Sequence, residues 1–296
     1  MSAPAPFRCG AVALIGRPNV GKSTLQNALV GQKISITSSK PQTTRHSLRG
    51  VLTSETAQFI LVDTPGFQTR HRGGLNRAMN RTARSALEGA DVVALVVEAG
   101  RFVAEDRAVL KLAPAGMPLF LVVNKIDGVE RGRLLAFLKA AAREATFDEI
   151  VPVSALRRKG LDELLRALEG YLPEQPAIHA ADDITDRNER FLVAEFLREK
   201  LFRMLGDELP YGAGVEIEKF EEQRGVRRIH AAIVVAKEGH KAMVIGERGS
   251  KLKSIATAAR LDMEKLFGGK VYLEAWVRVR GGWTDDETAL RRMGYG

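Results

Sequence analysis

The chain has 296 residues, 45 Lys plus Arg against 36 Asp plus Glu, and 45% hydrophobic residues, which predicts an ordinary soluble protein of two domains. Its single cysteine, Cys9, excludes a disulfide framework within the chain and suits a reducing compartment. The longest apolar runs, such as Val92 to Val97 and Leu119 to Val123, fall far below the roughly 18 residues that a membrane helix needs, and Met1 to Arg8 lacks the layout of a secretory signal.

From the N-terminus, an apolar strand predicted over Ala11 to Ile15 runs into Gly16-Arg17-Pro18-Asn19-Val20-Gly21-Lys22-Ser23, and a helix opens at Thr24. Glycines let such a loop curl until its amide hydrogens point at phosphate oxygens, and the helix N-terminus adds its positive dipole end. Lys22 supplies a point charge for the β and γ phosphates, and Ser23 offers a hydroxyl to Mg²⁺. The polar stretch Pro41-Gln42-Thr43-Thr44-Arg45 can bring a second hydroxyl to the metal, from Thr44 or, as the alternative, from Thr43. A strand over Gln58 to Val62 then ends in Asp63-Thr64-Pro65-Gly66. There Asp63 is placed to hold Mg²⁺ through a water, and Gly66 to turn its amide towards the γ-phosphate. Further on, Arg77, Arg81 and Arg84 recur at helical spacing; a solvated face is the plainer reading and an RNA contact the sharper one.

A strand over Asp91 to Val97 precedes another over Leu119 to Val123, which delivers Asn124-Lys125-Ile126-Asp127. Guanine carries N1–H and its exocyclic amine as neighbouring donors, and one carboxylate accepts from both, a role that suits Asp127. Adenine has no such pair and would cover the carboxylate without satisfying it. Asn124 would hold the loop, and the Lys125 stem would pack on the purine face. Ser154-Ala155, after the strand Ile150 to Val153, would complete the base pocket through backbone contacts. Strands alternating with helices through residues 1–176 predict an α/β domain with a mainly parallel sheet and helices on both faces.

Two prolines and three acidic residues within Leu172 to Thr185 interrupt the helical pattern, so a linker is expected over 177–186 and a second domain over 187–296. Here the periodicity changes. A helix from about Arg187 to Leu205 leads to strands at Val215 to Phe220 and Arg228 to Val235. A short helix (about Lys241 to Ile245) and a longer one (Lys251 to Leu266) follow, and Lys270 to Val279 alternates as a last strand. The net charge of +9 is unevenly spread: residues 177–223 carry 6 basic and 12 acidic side chains, residues 224–280 carry 13 and 5. Within the basic block, Gly246-Glu247-Arg248-Gly249 lies between two helices, followed by Lys251 and Lys253. About two or three such glycine pairs arise by chance at this composition, so the position between helices is what singles this one out. Backbone clamping of RNA is the expected chemistry, because no aromatic pair suited to base stacking stands nearby.

The four nucleotide motifs in this order resemble the translation-factor-related P-loop GTPases. The stretch Gly31 to His46, then Ile184-Thr185-Asp186-Arg187, Arg198-Glu199-Lys200-Leu201, Glu208-Leu209-Pro210-Tyr211 and Val215-Glu216-Ile217-Glu218, is similar to the Era family of bacterial GTPases along nearly the whole chain. That resemblance implies an α/β P-loop GTPase domain followed by a smaller α+β type II KH domain. It also implies a GTP/GDP- and Mg²⁺-dependent switch that binds the 3′ end of small-subunit ribosomal RNA and assists assembly of the 30S subunit. A cytoplasmic location with weak peripheral membrane association goes with it. Leu290 to Tyr295 looks like the family's C-terminal segment, and Ala256 stands where the family is expected to have glycine.

Hydrolysis by an attacking water would rest on Lys22, Thr44, Asp63 and Gly66. Phe67 occupies the place where small GTPases can use a glutamine to orient that water, which implies slow intrinsic turnover. Turnover is expected to quicken when a partner orders the switch loops or when a monovalent cation takes the place of a cationic finger, and Asn19 would help to hold K⁺ there, as related GTPases with Asn at this loop position do. Two other readings stand beside this one: an RNA-binding KH protein whose nucleotide is a static cofactor, and a P-loop kinase or ATPase, against which Asp127 argues.

Overall fold

The computed structural model describes residues 6–38, 40, 43–66, 74–206, 212–283 and 286. Pro41, Gln42, Phe67, Glu208 to Tyr211 and Leu290 to Tyr295 lie outside those residues. Contacts divide the chain at Asp186 and Arg187 into two compact units, and the described parts of Ile36–Thr43 and His71–Ala78 group with the second.

The first unit strings together β1 (Arg8–Ile15), α1 (Lys22–Val30), β2 (Leu48–Thr53), β3 (Ala57–Asp63), α2 (Gly74–Glu88), β4 (Val92–Glu98), α3 (Ala104–Leu110), β5 (Leu119–Asn124), α4 (Arg131–Ala141), β6 (Glu149–Pro152) and α5 (Leu161–Glu169). One sheet results, in the order β2-β3-β1-β4-β5-β6. All neighbouring pairs are parallel except β2 with β3. The continuous apolar runs of β3, β4 and β5 explain this, since a strand buried on both faces needs no polar alternation. Ala13, Ile15, Leu95, Val97, Leu121 and Val123 pack with Leu87 of α2, Val109 of α3 and Ala141 of α4. The intervening Val12, Leu14, Val96 and Val122 face the other way and are equally buried.

Edge strand β2 is absent from the sequence-based expectation. Arg49 and Gly50 interrupt its apolar run, so local pattern gives no strand signal. Residues 177–186 lie along this same edge: Val51 N donates to Ile184 O at 2.9 Å, Thr185 Oγ1 donates to Arg49 O at 2.7 Å, and the amides of Ile178 and His179 donate to Gln58 Oε1.

The second unit contains α6 (Glu189–Met204), β7 (Ala213–Gln223), β8 (Val226–Val235), α7 (Glu238–Ile245), α8 (Ser250–Phe267) and β9 (Lys270–Val279). The order α-β-β-α-α-β is the one expected for a type II KH domain. β8 is central, antiparallel to β7 and parallel to β9. Asn188 caps α6 by accepting from Phe191 N at 2.9 Å, which contributes about 1 kcal/mol. Val193, Phe196, Leu197 and Leu201 of α6, with Ile255, Ala259 and Met263 of α8, cover Ile229, Ala231, Ile233 and Val235. Each of the Val, Leu, Ile, Phe and Met side chains among them stabilises the fold by roughly 2 kcal/mol through removal from water. Among the described residues, no helix is long and apolar enough to cross a membrane.

Candidate functional site

The first unit's polar chemistry collects at the carboxyl ends of its parallel strands, where chain direction turns every strand into a loop facing the same side. After β1 the loop from Gly16 to Gly21 leads directly into α1. Gly21 caps that helix with φ 101°, a left-handed conformation that only glycine adopts without strain. A β-carbon there would also collide with the Asn124 amide. Asn19, with φ 65°, makes a second left-handed turn in the same loop.

Lys22 is almost fully buried and folds its ammonium back over the loop, donating to Gly16 O at 2.9 Å and Arg17 O at 3.2 Å. Burial lowers its pKa to about 8, opposed by the charge of Asp63. Asp63, at the end of β3, is fully buried; desolvation raises its pKa to about 6, opposed by Lys22. Ser23 Oγ donates to Asp63 Oδ2 at 2.5 Å and lies 2.8 Å from Thr44 Oγ1, which is 3.4 Å from the same carboxylate oxygen. Two hydroxyls and a carboxylate thus converge within one small volume. Asp63 Oδ1 is buried with no hydrogen-bond partner, a state that a hard cation relieves. All the donors are oxygens, so the set fits Mg²⁺ and not a soft metal.

Thr44, not Thr43, stands in this group: Thr43 Oγ1 donates to Lys40 O at 2.7 Å and lies 2.9 Å from Ser38 Oγ. Thr64 Oγ1 is tied to Leu14 O at 2.8 Å. Pro65 follows, and the chain then passes Gly66, whose Cα lies so close to Pro18 that a β-carbon would approach its ring to 2.9 Å.

Strand β5 places the second cluster. Asn124 is buried and spends its amide on the scaffold, donating to Val20 O at 2.9 Å while accepting from Lys125 N at 2.8 Å and Ala155 N at 3.0 Å. It therefore laces three loops together, in keeping with the loop-holding role expected for it. Ile126 N reaches back to Val153 O at 3.3 Å. Ser154 Oγ donates to Asp127 Oδ1, and this bond, with the nearby charges of Arg157 and Lys159, holds the Asp127 carboxyl below the usual carboxylate range and ionised. Asp127 is exposed, so any cost of leaving it unpaired arises only when a base covers it. A cavity of about 380 Å³ joins these groups, lined by Gly21, Thr24, Lys125, Asp127, Ala155 and Leu156 among others. Sequence reasoning missed Leu156, Glu98 and Val129 in this lining; Leu156 was within reach as an exposed leucine directly after Ser154-Ala155.

In the second unit, Glu247–Gly249 forms a single 3-10 turn between α7 and α8. Gly246 takes φ 70° with its Cα packed so tightly on Lys251 that a β-carbon would come within 2.6 Å of the Lys251 β-carbon. Arg248 is left-handed too, at φ 48°. Beside this loop a groove of about 360 Å³ runs between α8 and β9, with Leu252, Ala256, Leu273 and Ala275 as floor and Lys253 and Arg260 as cations. Ala256, small but not glycine, is part of that floor. Arg260, Leu273 and Ala275 join the predicted loop only through the fold, since no motif spans α8 and β9. Arg77, Arg81 and Arg84 are exposed along α2, opposite the buried Met79, Ala83 and Leu87.

Comparison with known proteins agrees with both halves of this description. The family described as "50S ribosome-binding GTPase" matches residues 11–125, and the "KH domain" family matches residues 208–284. GTPase Era of Nitrosomonas eutropha is 53% identical over 290 residues, 98% of each chain. GTPase Era of Xanthomonas axonopodis pv. citri is 54% identical over 292 residues, again 98% of each. Among solved structures, a variant of Aquifex aeolicus Era bound to GDP and AlF₄⁻ superposes with a TM-score of 0.94 at 35% identity, covering 98% of this chain and 100% of that one. Era in complex with MgGDPNP and nucleotides 1506–1542 of 16S ribosomal RNA gives the same TM-score and identity. With the Gly16 to Ser23 loop, the Asn124-Lys125-Ile126-Asp127 sequence and the glycine-flanked turn all on one chain of matching length, the protein belongs to the Era family of GTPases.

Proposed function

We propose that this chain is a GTP-driven switch which binds the 3′ end of small-subunit ribosomal RNA and assists 30S assembly. The observation that carries the reading is the convergence of Ser23, Thr44 and Asp63 beside Lys22, on the same chain as a glycine-flanked groove in the basic stretch of the KH unit. Further support is the Era structure that holds both MgGDPNP and a 16S fragment.

In this reading the amides of the loop from Gly16 to Gly21 cradle the phosphates, and Lys22 exchanges its two carbonyl partners for phosphate oxygens. Ser23, Thr44 and Asp63 would hold Mg²⁺, which when bound neutralises charge developing on the phosphate oxygens. Gly66 offers its amide to the γ-phosphate, and Asp127 reads guanine. Protein chemistry is thus mainly positioning and charge stabilisation. Intrinsic turnover is slow, and Asn19 assists by helping to hold K⁺; equal rates in K⁺ and Na⁺ buffers would remove that assistance. Gly246, Glu247, Arg248 and Gly249 bring backbone against the RNA strand, with Lys251 and Lys253 pairing its phosphates.

Filter binding of a short oligonucleotide from the 16S 3′ end, with a GTP analogue or GDP present, combined with phosphate release, tests the proposal. Nucleotide-dependent RNA retention and RNA-stimulated release are expected. Retention with a flat release time course would instead make the nucleotide a static cofactor.

A further inference from the structure

Glu98 ends β4 directly opposite Asn124 in the β4–β5 pairing, and Ala99 N donates to Asn124 O at 2.8 Å. Sheet register therefore sets the Glu98 side chain beside the loop that begins at Lys125. Its two carboxylate oxygens take different partners. Oε1 lies 3.3 Å from Lys125 Nζ, and Oε2 accepts from Arg17 Nη2 at 2.9 Å. Arg17 is anchored in turn on the fully buried Asp106 of α3, with Nε 3.2 Å from Oδ1. Asp106 itself is fixed by accepting from Val103 N at 3.0 Å. The string thus runs from the interior to the cavity: a buried carboxylate, a mostly buried guanidinium, a carboxylate about a third exposed, and an ammonium at the pocket wall.

We infer that Glu98 is a positioning residue for guanine-nucleotide binding, tying the phosphate loop through Arg17 to the base-recognition loop through Lys125. The inference rests on the guanine reading of the same cavity.

Lys125 has four rotatable side-chain bonds and a backbone at φ 65°, so its stem lies along one wall of the cavity only if its end is held. An exposed ion pair by itself holds little, because solvent screens it and both side chains lose freedom. Here Asp106 has already immobilised Arg17, so the freedom lost by Arg17 is spent in folding and is not charged again when nucleotide binds. Glu98 also gives the two nucleotide-binding loops a second mechanical link, separate from the Asn124 amide to Val20 O. Loosening one loop should then be felt at the other. Glu98→Gln keeps the shape and removes the charge.

The test is the dissociation rate of fluorescent GDP from the full chain, for wild type, Glu98→Gln, Lys125→Met and the double variant. Glu98→Gln should release GDP roughly five- to tenfold faster, and the double variant should match Lys125→Met alone, since both changes cut the same string. Wild-type release should also quicken with added salt, and this acceleration should be markedly smaller in Glu98→Gln. A fold-supporting role alone would lower the unfolding temperature without moving the release rate or its salt response. Multiplying effects in the double variant would overturn the inference, and so would salt-independent release by the wild type, a measurement that needs no variant. A wild-type chain that failed to prefer guanine over adenine nucleotides would instead strike the reading of the cavity itself.

Discussion

The two candidate ligand-facing regions are built on opposite principles. In the candidate nucleotide site, Lys22, Asp63 and Asn124 are almost fully buried, and hydrogen bonds hold the Lys22 ammonium, the Asn124 amide and one carboxylate oxygen of Asp63, leaving Asp63 Oδ1 for a cation. Along the groove of the KH unit, small apolar side chains make the floor, and cations such as Lys253 and Arg260 stand at its edge. A site of the first kind discriminates sharply, because each fixed group left unsatisfied carries a desolvation penalty. A surface of the second kind adds up many weak phosphate contacts and tolerates the loss of any one.

That contrast predicts a gradient of mutational effects. The largest belongs to Asp127→Asn, which should move preference from GTP to XTP by roughly a thousandfold, since xanthine has a carbonyl where guanine has its amine; competition between the two nucleotides measures it. Next comes Ser23→Ala, which removes one of three converging oxygens and should slow GTP hydrolysis about a hundredfold, read from phosphate release at saturating Mg²⁺. Lys253→Glu should have the smallest effect, weakening RNA binding roughly tenfold and lowering the salt slope by about one, with RNA-free hydrolysis unchanged. If Lys253→Glu proved as damaging as Asp127→Asn, the groove would be a fixed site after all. If Asp127→Asn left base preference unmoved, the cavity would not be reading the purine.

Much of this was legible in the chain itself, for local reasons. An apolar run followed at once by Gly, Asp or Asn marks a buried strand turning into a loop, and that pattern located Gly16 to Ser23, Asp63 to Gly66 and Asn124 to Asp127. The KH element order was equally readable, because its helix and strands have clean periods of 3.6 and 2. Strand β2 escaped because Arg49 and Gly50 blur it, and its partner β3 supplies the pairing. Glu98 and Asp106 escaped for a different reason: neither belongs to a motif, and each acquires meaning only once β4 is registered against β5 and α3 is folded beside the phosphate loop. Thr44 was separable from Thr43 only by knowing which hydroxyl faces Ser23.

The segment 177–186, lying along β2, acts as a hem on the sheet. An outermost strand left bare displays unpaired amides and carbonyls, and such a margin recruits other chains into aggregates. Here Ile184 and Thr185 occupy part of that margin, and the backbone at Ile178 and His179 is stitched to Gln58 of the next strand. A GTPase fragment cut after residue 176 would therefore lose its selvedge and clump, whereas one extended to Asp186 would keep it and remain dispersed.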